Sequence, residues 1–248
     1  MLFVNSVQAD TEIDLSRFFK GYQGTFVLLN QQTGNIQRYN HDQSVLRLSP
    51  CSTYKIAHSL FALDIGILED ENQILKWDGK ERSMKAWNSD LSLSKAIEVS
   101  AVPHFQQIAR EIGQERMRAY LSKTNYGNQD TSGGIAKFWI GSTLKISAEE
   151  QVLFISKMIQ NELPVSNHAV QTVKTIIKLE TTDNGTLYGK TGGLADNSGQ
   201  LILGWFVGFV ETKNGNFVFA TNIKQGDRPG GWKAKKITKD ILNNMNLL

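Results

Sequence analysis

The stretch PCSTYKIAHSLFAL, Pro50 to Leu63, decides how the rest of the chain is read. Ser52 and Lys55 stand three residues apart where an apolar run begins. Ile56, Ala57, Leu60, Phe61 and Leu63 predict a helix from Thr53 to Ile67. Two readings are open: a nucleophile with its base, or a plain N-cap serine followed by a lysine. Residues i and i+3 share a helical face, so Lys55 can reach the Ser52 hydroxyl. A serine at a helix start also has free backbone N–H groups and a positive dipole end nearby, which can hold a developing oxyanion. Spacing alone decides little. Ser-x-x-Lys arises by chance roughly once in a chain of this length, and here Ser92/Lys95 and Ser142/Lys145 repeat it. Ser142 leads into a capped helix and Ser92 lies in a polar approach to one, so both are expected to be structural.

Working outward, Gly24 to Asn40 reads as two strands around a Gln-Thr-Gly-Asn turn. Near the other end, two β-rich runs in LGWFVGFVETKNGNFVFATNI flank Lys213-Asn214-Gly215, and Asn-Gly is a strong hairpin signal. From Lys235 to Leu248, Ile237, Ile241, Leu242 and Met245 fall on one helical face. Between these ends the chain is helical. Ser147 to Glu150 is a capping box opening a helix through Val152, Leu153, Ile155 and Met158. The expected fold is α+β: an antiparallel sheet from both chain ends, flanked by helices, with a mainly helical lobe inserted. One domain is expected over residues 10–248, with a sheet lobe from about 10–47 and 180–248 and a helical lobe from about 48–179.

The 248 residues are enough for one large domain with a real core, and 40% hydrophobic with 21% charged residues is ordinary globular usage. The net charge of +3 is spread along the chain, with basic density only near GWKAKKITK, and no stacking motif supports nucleic-acid binding. Cys51 is the single cysteine, so no internal disulfide forms, and His41, His58, His104 and His168 lack metal-ligand spacing. His58 and His104 are expected beside packed helix faces. No run reaches the ~18 apolar residues of a membrane span. Val7-Gln8-Ala9 resembles the end of a cleavage site, which makes residues 1–9 a candidate signal-peptide remnant.

The second informative tripeptide is Lys190-Thr191-Gly192 in LYGKTGG, after the strand-like Thr186-Leu187-Tyr188. By average usage it is expected well under once in such a chain. Ser-x-x-Lys followed much later by Lys-Thr-Gly is the signature of penicillin-recognising serine enzymes. Their usual Ser-Asp-Asn is absent, and Ser100-Ala101-Val102 stands in its place. With that Ser-x-Val, Tyr126-Gly127-Asn128 and Phe138-Trp139, the chain resembles the class D β-lactamases, the oxacillinases, and related β-lactam sensor domains. The likeness runs on through WDGKERSMKAWN, Ser132 to Gly134 and GWFVGF, from about Gly24 to the C-terminal helix. Tyr54 stands where phenylalanine is commoner.

The resemblance implies hydrolysis of β-lactams through a serine acyl-enzyme. Ser52 would be the nucleophile. A serine needs an adjacent base, and apolar burial would lower the Lys55 pKa so that its amine could act directly or add carbon dioxide. The resemblance implies the second, a carboxylated Lys55, formed from carbon dioxide or bicarbonate with no other cofactor and no metal. Val102 would wall it and the Trp139 indole N–H would bind it. Ser100 would relay a proton to the lactam nitrogen, helped by Lys190. Thr191 would bind the substrate carboxylate, and the backbone N–H groups of Ser52 and Gly193 would form the oxyanion hole. The arginine that often binds this carboxylate aligns with Ala234, leaving Arg228 or Lys233 as substitutes. The implied setting is an exported protein, periplasmic or secreted, acting as a monomer or homodimer on a small molecule, without nucleic-acid or membrane partners. The other reading is a β-lactam sensor, acylated but not turned over. Val102, where sensors typically carry Asn, favours the hydrolase.

Overall fold

A computed structural model describes residues 10–248, so the cleavage-site reading at Val7–Ala9 lies outside the described residues. The chain opens with β1 (Asp10–Glu12), β2 (Gln23–Asn30) and β3 (Ile36–Tyr39). β2 and β3 form the expected hairpin, with Phe26 opposite Tyr39 and Leu29 opposite Ile36. A short helix, α1 (His41–Ser44), follows; the Asn40 side chain caps it by accepting from the Gln43 N–H.

The inserted lobe begins at α2 (Lys55–Asp64), where every residue from Lys55 to Leu63 is buried. A helix buried all round has no polar face on which to place a charge, yet this one carries a lysine and a histidine. Then come β4 (Ile74–Leu75), β5 (Leu91–Ser92), α3 (Leu93–Glu98), α4 (Val102–Ile112) and α5 (Gln114–Thr124). Next are α6 (Ala148–Ile159) and α7 (Asn167–Ile176). α6 starts with the predicted reciprocal capping box between Ser147 and Glu150. Ser92 caps α3 by accepting from the Lys95 N–H, which is the structural role expected of it.

The chain returns through β6 (Lys178–Thr181), β7 (Gly185–Ala195), β8 (Leu201–Thr212) and β9 (Gly215–Lys224), then closes with α8 (Gly231–Asn244). The sheet order is β1-β3-β2-β9-β8-β7-β6. The β2–β9 pairing, from Gln23 opposite Lys224 to Asn30 opposite Phe217, joins the two ends of the chain. β8 shows the two-residue period of a strand covered on both faces. Trp205, Val207 and Phe209 face the core shared with the helical lobe, while Phe206 and Val210 face the core under α8.

The expected α+β fold is observed, with the refinement that the sheet is mixed, because β1 runs parallel to β3 at the edge. The sheet lobe resumes at Lys178, where β6 begins, close to the expected 180. One local expectation is corrected. The helix expected from Thr53 is a 3₁₀ turn over Cys51–Tyr54 that becomes α-helical only at Lys55 and ends at Asp64.

Candidate active site

The turn carrying Ser52 is held from several sides. The Cys51 N–H donates to the Trp139 carbonyl at 3.0 Å, and the Thr53 hydroxyl donates to the Pro50 carbonyl at 2.7 Å. The Ser49 hydroxyl also donates to the Trp139 carbonyl, and the Trp205 indole N–H donates to the Ser49 carbonyl at 2.9 Å. Within this frame Cys51 takes φ +51°, a left-handed conformation that a non-glycine residue keeps only where its surroundings impose it. Ser52 itself does not cap the helix. Its Oγ accepts instead from Lys55 Nζ at 2.8 Å, with Ser52 half-buried and Lys55 fully buried. The N-cap reading of Ser52 therefore fails.

Burial holds the Lys55 amine well below its ordinary pKa, and the charge of Lys190 adds to the effect. Its Nζ lies 5.3 Å from the centre of the Phe105 ring. Phe105 is on α4, which Val102 begins, half-buried. Trp139 is fully buried, and its indole N–H has no hydrogen-bond partner among the described residues. An unpaired buried donor costs about 1–3 kcal/mol, so its presence beside the nucleophile turn calls for an acceptor.

β7 forms the opposite wall. Lys190 is buried, and its Nζ donates to the Thr191 carbonyl and hydroxyl at 3.1 and 3.3 Å. Burial pulls its pKa down to about 8, with Lys235 adding a like charge. Thr191 is half-buried and Gly193 exposed on the same strand. Ser100 lies between α3 and α4 at φ +56°, a second non-glycine residue in a left-handed conformation at this site.

Lys190 and Thr191 open into a cleft of about 220 Å³ also lined by Ile97, Glu98, Lys178 and Lys235. The sequence left the carboxylate anchor open between Arg228 and Lys233, and a third cation, Lys235, lines this cleft. Ala234 is buried in the core beneath α8. Arg228 is exposed and lies 3.8 Å from Asp227, and Lys233 lies over the Tyr22 and Trp232 rings. Lys235 is the α8 cation that reaches the cleft. Sequence reasoning missed it because the helix starts at Gly231, so its facing surface was set by residues outside the apolar pattern read from Lys235 onward. Gly231 packs against Thr191, where an added Cβ would lie 2.9 Å from the Thr191 Cβ, and Lys235 is one turn further on. Two other site contacts also escaped the sequence reading: Trp205 on Ser49, and the Gln151 amide donating to the Thr53 hydroxyl at 2.9 Å.

Comparison with known proteins places this geometry. Residues 24–243 match the penicillin-binding-protein transpeptidase domain. The chain is 41% identical over 230 residues to a probable β-lactamase, YbxI, of Bacillus subtilis strain 168, covering 93% of this chain and 84% of that protein. The chain belongs to the class D β-lactamase family. A class D β-lactamase crystal structure from Bacillus subtilis superimposes with a TM-score of 0.89 at 40% identity, over 95% of this chain and 97% of that one. The C-terminal domain of the Bacillus licheniformis BlaR penicillin-receptor superimposes with a TM-score of 0.92 at 36% identity, over 96% and 98% of the two chains. The class D fold thus accommodates both a lactamase and a receptor, and the residues of the site must separate them. Among the described residues, no helix is long and apolar enough to cross a membrane, and no group of metal-binding side chains occurs.

Proposed function

We propose that the protein hydrolyses β-lactam antibiotics through an acyl-enzyme on Ser52, with a carboxylated Lys55 as general base. The observation that carries this reading is the 2.8 Å contact between the Nζ of fully buried Lys55, at the start of α2, and Ser52 Oγ in the turn before it. Burial there favours the neutral amine, which is the form that adds carbon dioxide. The residues around it fit the added group, since the unpaired Trp139 N–H supplies a donor that a buried anion requires. When present, the carbamate on Lys55 supplies an anionic oxygen base for the Ser52 proton and for the hydrolytic water. Val102 and Phe105 keep the surroundings apolar.

The remaining residues take the roles their positions support. Ser52 Oγ bonds to the lactam carbonyl carbon, and the negative charge that develops on the carbonyl oxygen falls to the backbone N–H groups of Ser52 and Gly193. The carbon–nitrogen bond then breaks, and the leaving nitrogen takes a proton by way of the Ser100 hydroxyl, next to the positive Lys190. Thr191, Lys190 and Lys235 bind the substrate carboxylate. Lys235 replaces Arg228 and Lys233 as the proposed anchor. The same reading places the protein outside the cytoplasm, in the periplasm or secreted, where β-lactams are met, as a monomer or homodimer.

The BlaR penicillin-receptor domain supports a second reading, in which the acyl-enzyme persists as a signal. Val102 favours turnover, because an apolar neighbour does not compete with the Trp139 donor for the added group. A chromogenic cephalosporin at catalytic enzyme concentration separates the readings. Turnover that bicarbonate enhances supports the hydrolase, and a burst of one equivalent followed by silence supports the sensor.

A further inference from the structure

α2 carries a second polar group into the core. His58 lies one turn on from Lys55 and is fully buried, and neither of its ring nitrogens has a hydrogen-bond partner among the described residues. The His58 and Trp139 rings meet edge to face with centres 4.4 Å apart. His58 and Lys55 also share the Phe105 face, the imidazole at 6.1 Å and the amine at 5.3 Å. The rings of Tyr54, at 4.4 Å, and Phe138, at 6.3 Å, also lie against the imidazole. Two unpaired ring systems with N–H groups therefore meet beside Lys55, among aromatic rings. A side chain serving only to fill this core would do better without nitrogen, because each buried unpaired polar atom costs about 1–3 kcal/mol. Burial holds the imidazole neutral, with one N–H donor and one acceptor nitrogen.

We propose that His58 is a positioning residue for the Lys55 base: its ring N–H and the Trp139 N–H form a donor pair that holds the carboxylate of a carbamate on Lys55. The inference rests on the carbamate reading. In forming that group, the lone pair of the neutral Lys55 nitrogen bonds to the carbon of carbon dioxide, and one Nζ proton leaves to solvent. The product is a buried anion with two oxygens, and a single indole N–H leaves much of its acceptor capacity unfilled. A second donor on the same side lowers the concentration of carbon dioxide at which the group forms.

The test is a titration with ¹³C-labelled bicarbonate followed by NMR of the carbamate carbon, with Lys55→Ala identifying the signal. His58→Leu removes both nitrogens at similar bulk and should need roughly tenfold more bicarbonate for half of the signal, which corresponds to the loss of about one hydrogen bond to a charged group. His58→Asn keeps an N–H and should recover part of that loss. In bicarbonate-free buffer the thermal midpoint of His58→Leu should equal or exceed that of the unmodified protein, since its unpaired nitrogens are gone. Half-saturation of His58→Leu at the unmodified protein's bicarbonate concentration would overturn the proposal and leave the carbamate reading intact. Equal weakening in His58→Leu and His58→Asn would overturn it too, by assigning His58 a packing role. If the unmodified protein gives no signal that Lys55→Ala removes, the carbamate reading itself fails, and the His58 proposal with it.

Discussion

Gly192 of β7 rests on the carbonyl of Pro50. A Cβ built on Gly192 would lie 3.0 Å from that oxygen and 3.1 Å from the Thr53 Cγ2. The two lobes meet at this contact, and it sets how closely Lys190 approaches the turn that carries Ser52. The glycine of the Lys-Thr-Gly tripeptide is a spacer: it lets the strand lie on the nucleophile turn.

Gly192→Ala should therefore push β7 away from the turn. Overpacking of this kind costs about 1–3 kcal/mol, and kcat/KM should fall at least tenfold. At Gly193 an added Cβ meets nothing nearer than 3.7 Å, so Gly193→Ala should leave the thermal midpoint close to that of the unmodified protein. Thermal unfolding of the two variants side by side checks the contrast.

Lys235 should carry the ground-state binding of the substrate carboxylate. Lys235→Ala is expected to raise KM for penicillins several-fold with a smaller effect on kcat, the pattern of lost uniform binding. Arg228→Ala and Lys233→Ala should leave KM unchanged, since Arg228 is exposed beside Asp227 and Lys233 lies over aromatic rings. Steady-state kinetics of the three variants decide the assignment.

Lys190 should leave its mark on the pH dependence of both stability and activity. Its folded pKa is pulled down to about 8 from the ordinary 10.5, chiefly by burial. Across that window the unfolded chain keeps a proton that the folded chain has released, so stability rises with pH, by about 3 kcal/mol for this one group. Below pH 8 both states are protonated and the folded state bears the full cost of the buried charge. Lys190→Met should remove that share of the rise and be relatively more stable below pH 8. In the unmodified protein kcat/KM should decline above pH 8 as the cleft loses this charge. Denaturant titrations and rate profiles between pH 6 and 10.5 measure both effects.

Trp139→Phe keeps the aromatic packing and removes only the indole N–H. Deacylation should slow roughly tenfold to a hundredfold, in line with a lost hydrogen bond to a charged group, and added bicarbonate should restore part of the rate. Deacylation unaffected at low bicarbonate would assign Trp139 to the core alone.

The sequence was informative where chemistry depends on residues close together in the chain. Ser52 and Lys55 belong to one turn of backbone, so their spacing carried their contact, and the rarity of Lys-Thr-Gly separated them from Ser92/Lys95 and Ser142/Lys145. The Asn214-Gly215 hairpin and the Ser147–Glu150 capping box are likewise local, and both formed as read. What escaped depended on long-range packing. The start of α2 was displaced because the Trp139 carbonyl and the Trp205 indole hold residues 49–51 in a turn before the helix can begin. The parallel edge strand β1 has too few residues to show a period. Lys235 reaches the cleft through the rotation of α8 over β7, which no pattern within α8 reports. His58 reads as an ordinary core residue, and only its missing partners mark it out; the family resemblance singles out Trp139, whose pattern in the sequence is that of a core aromatic.

The central claim is that Ser52 is acylated by a β-lactam and then released. Intact-mass spectrometry of the protein during exposure to excess penicillin, with peptide mapping of the adduct, tests it most directly. The adduct should map to the peptide containing Ser52, be absent in Ser52→Ala and present in Ser92→Ala and Ser142→Ala, and vanish once the penicillin is consumed, after many molecules have been opened per enzyme. An adduct that survives Ser52→Ala, or one on Ser52 that persists at one equivalent with no further product, would contradict the account.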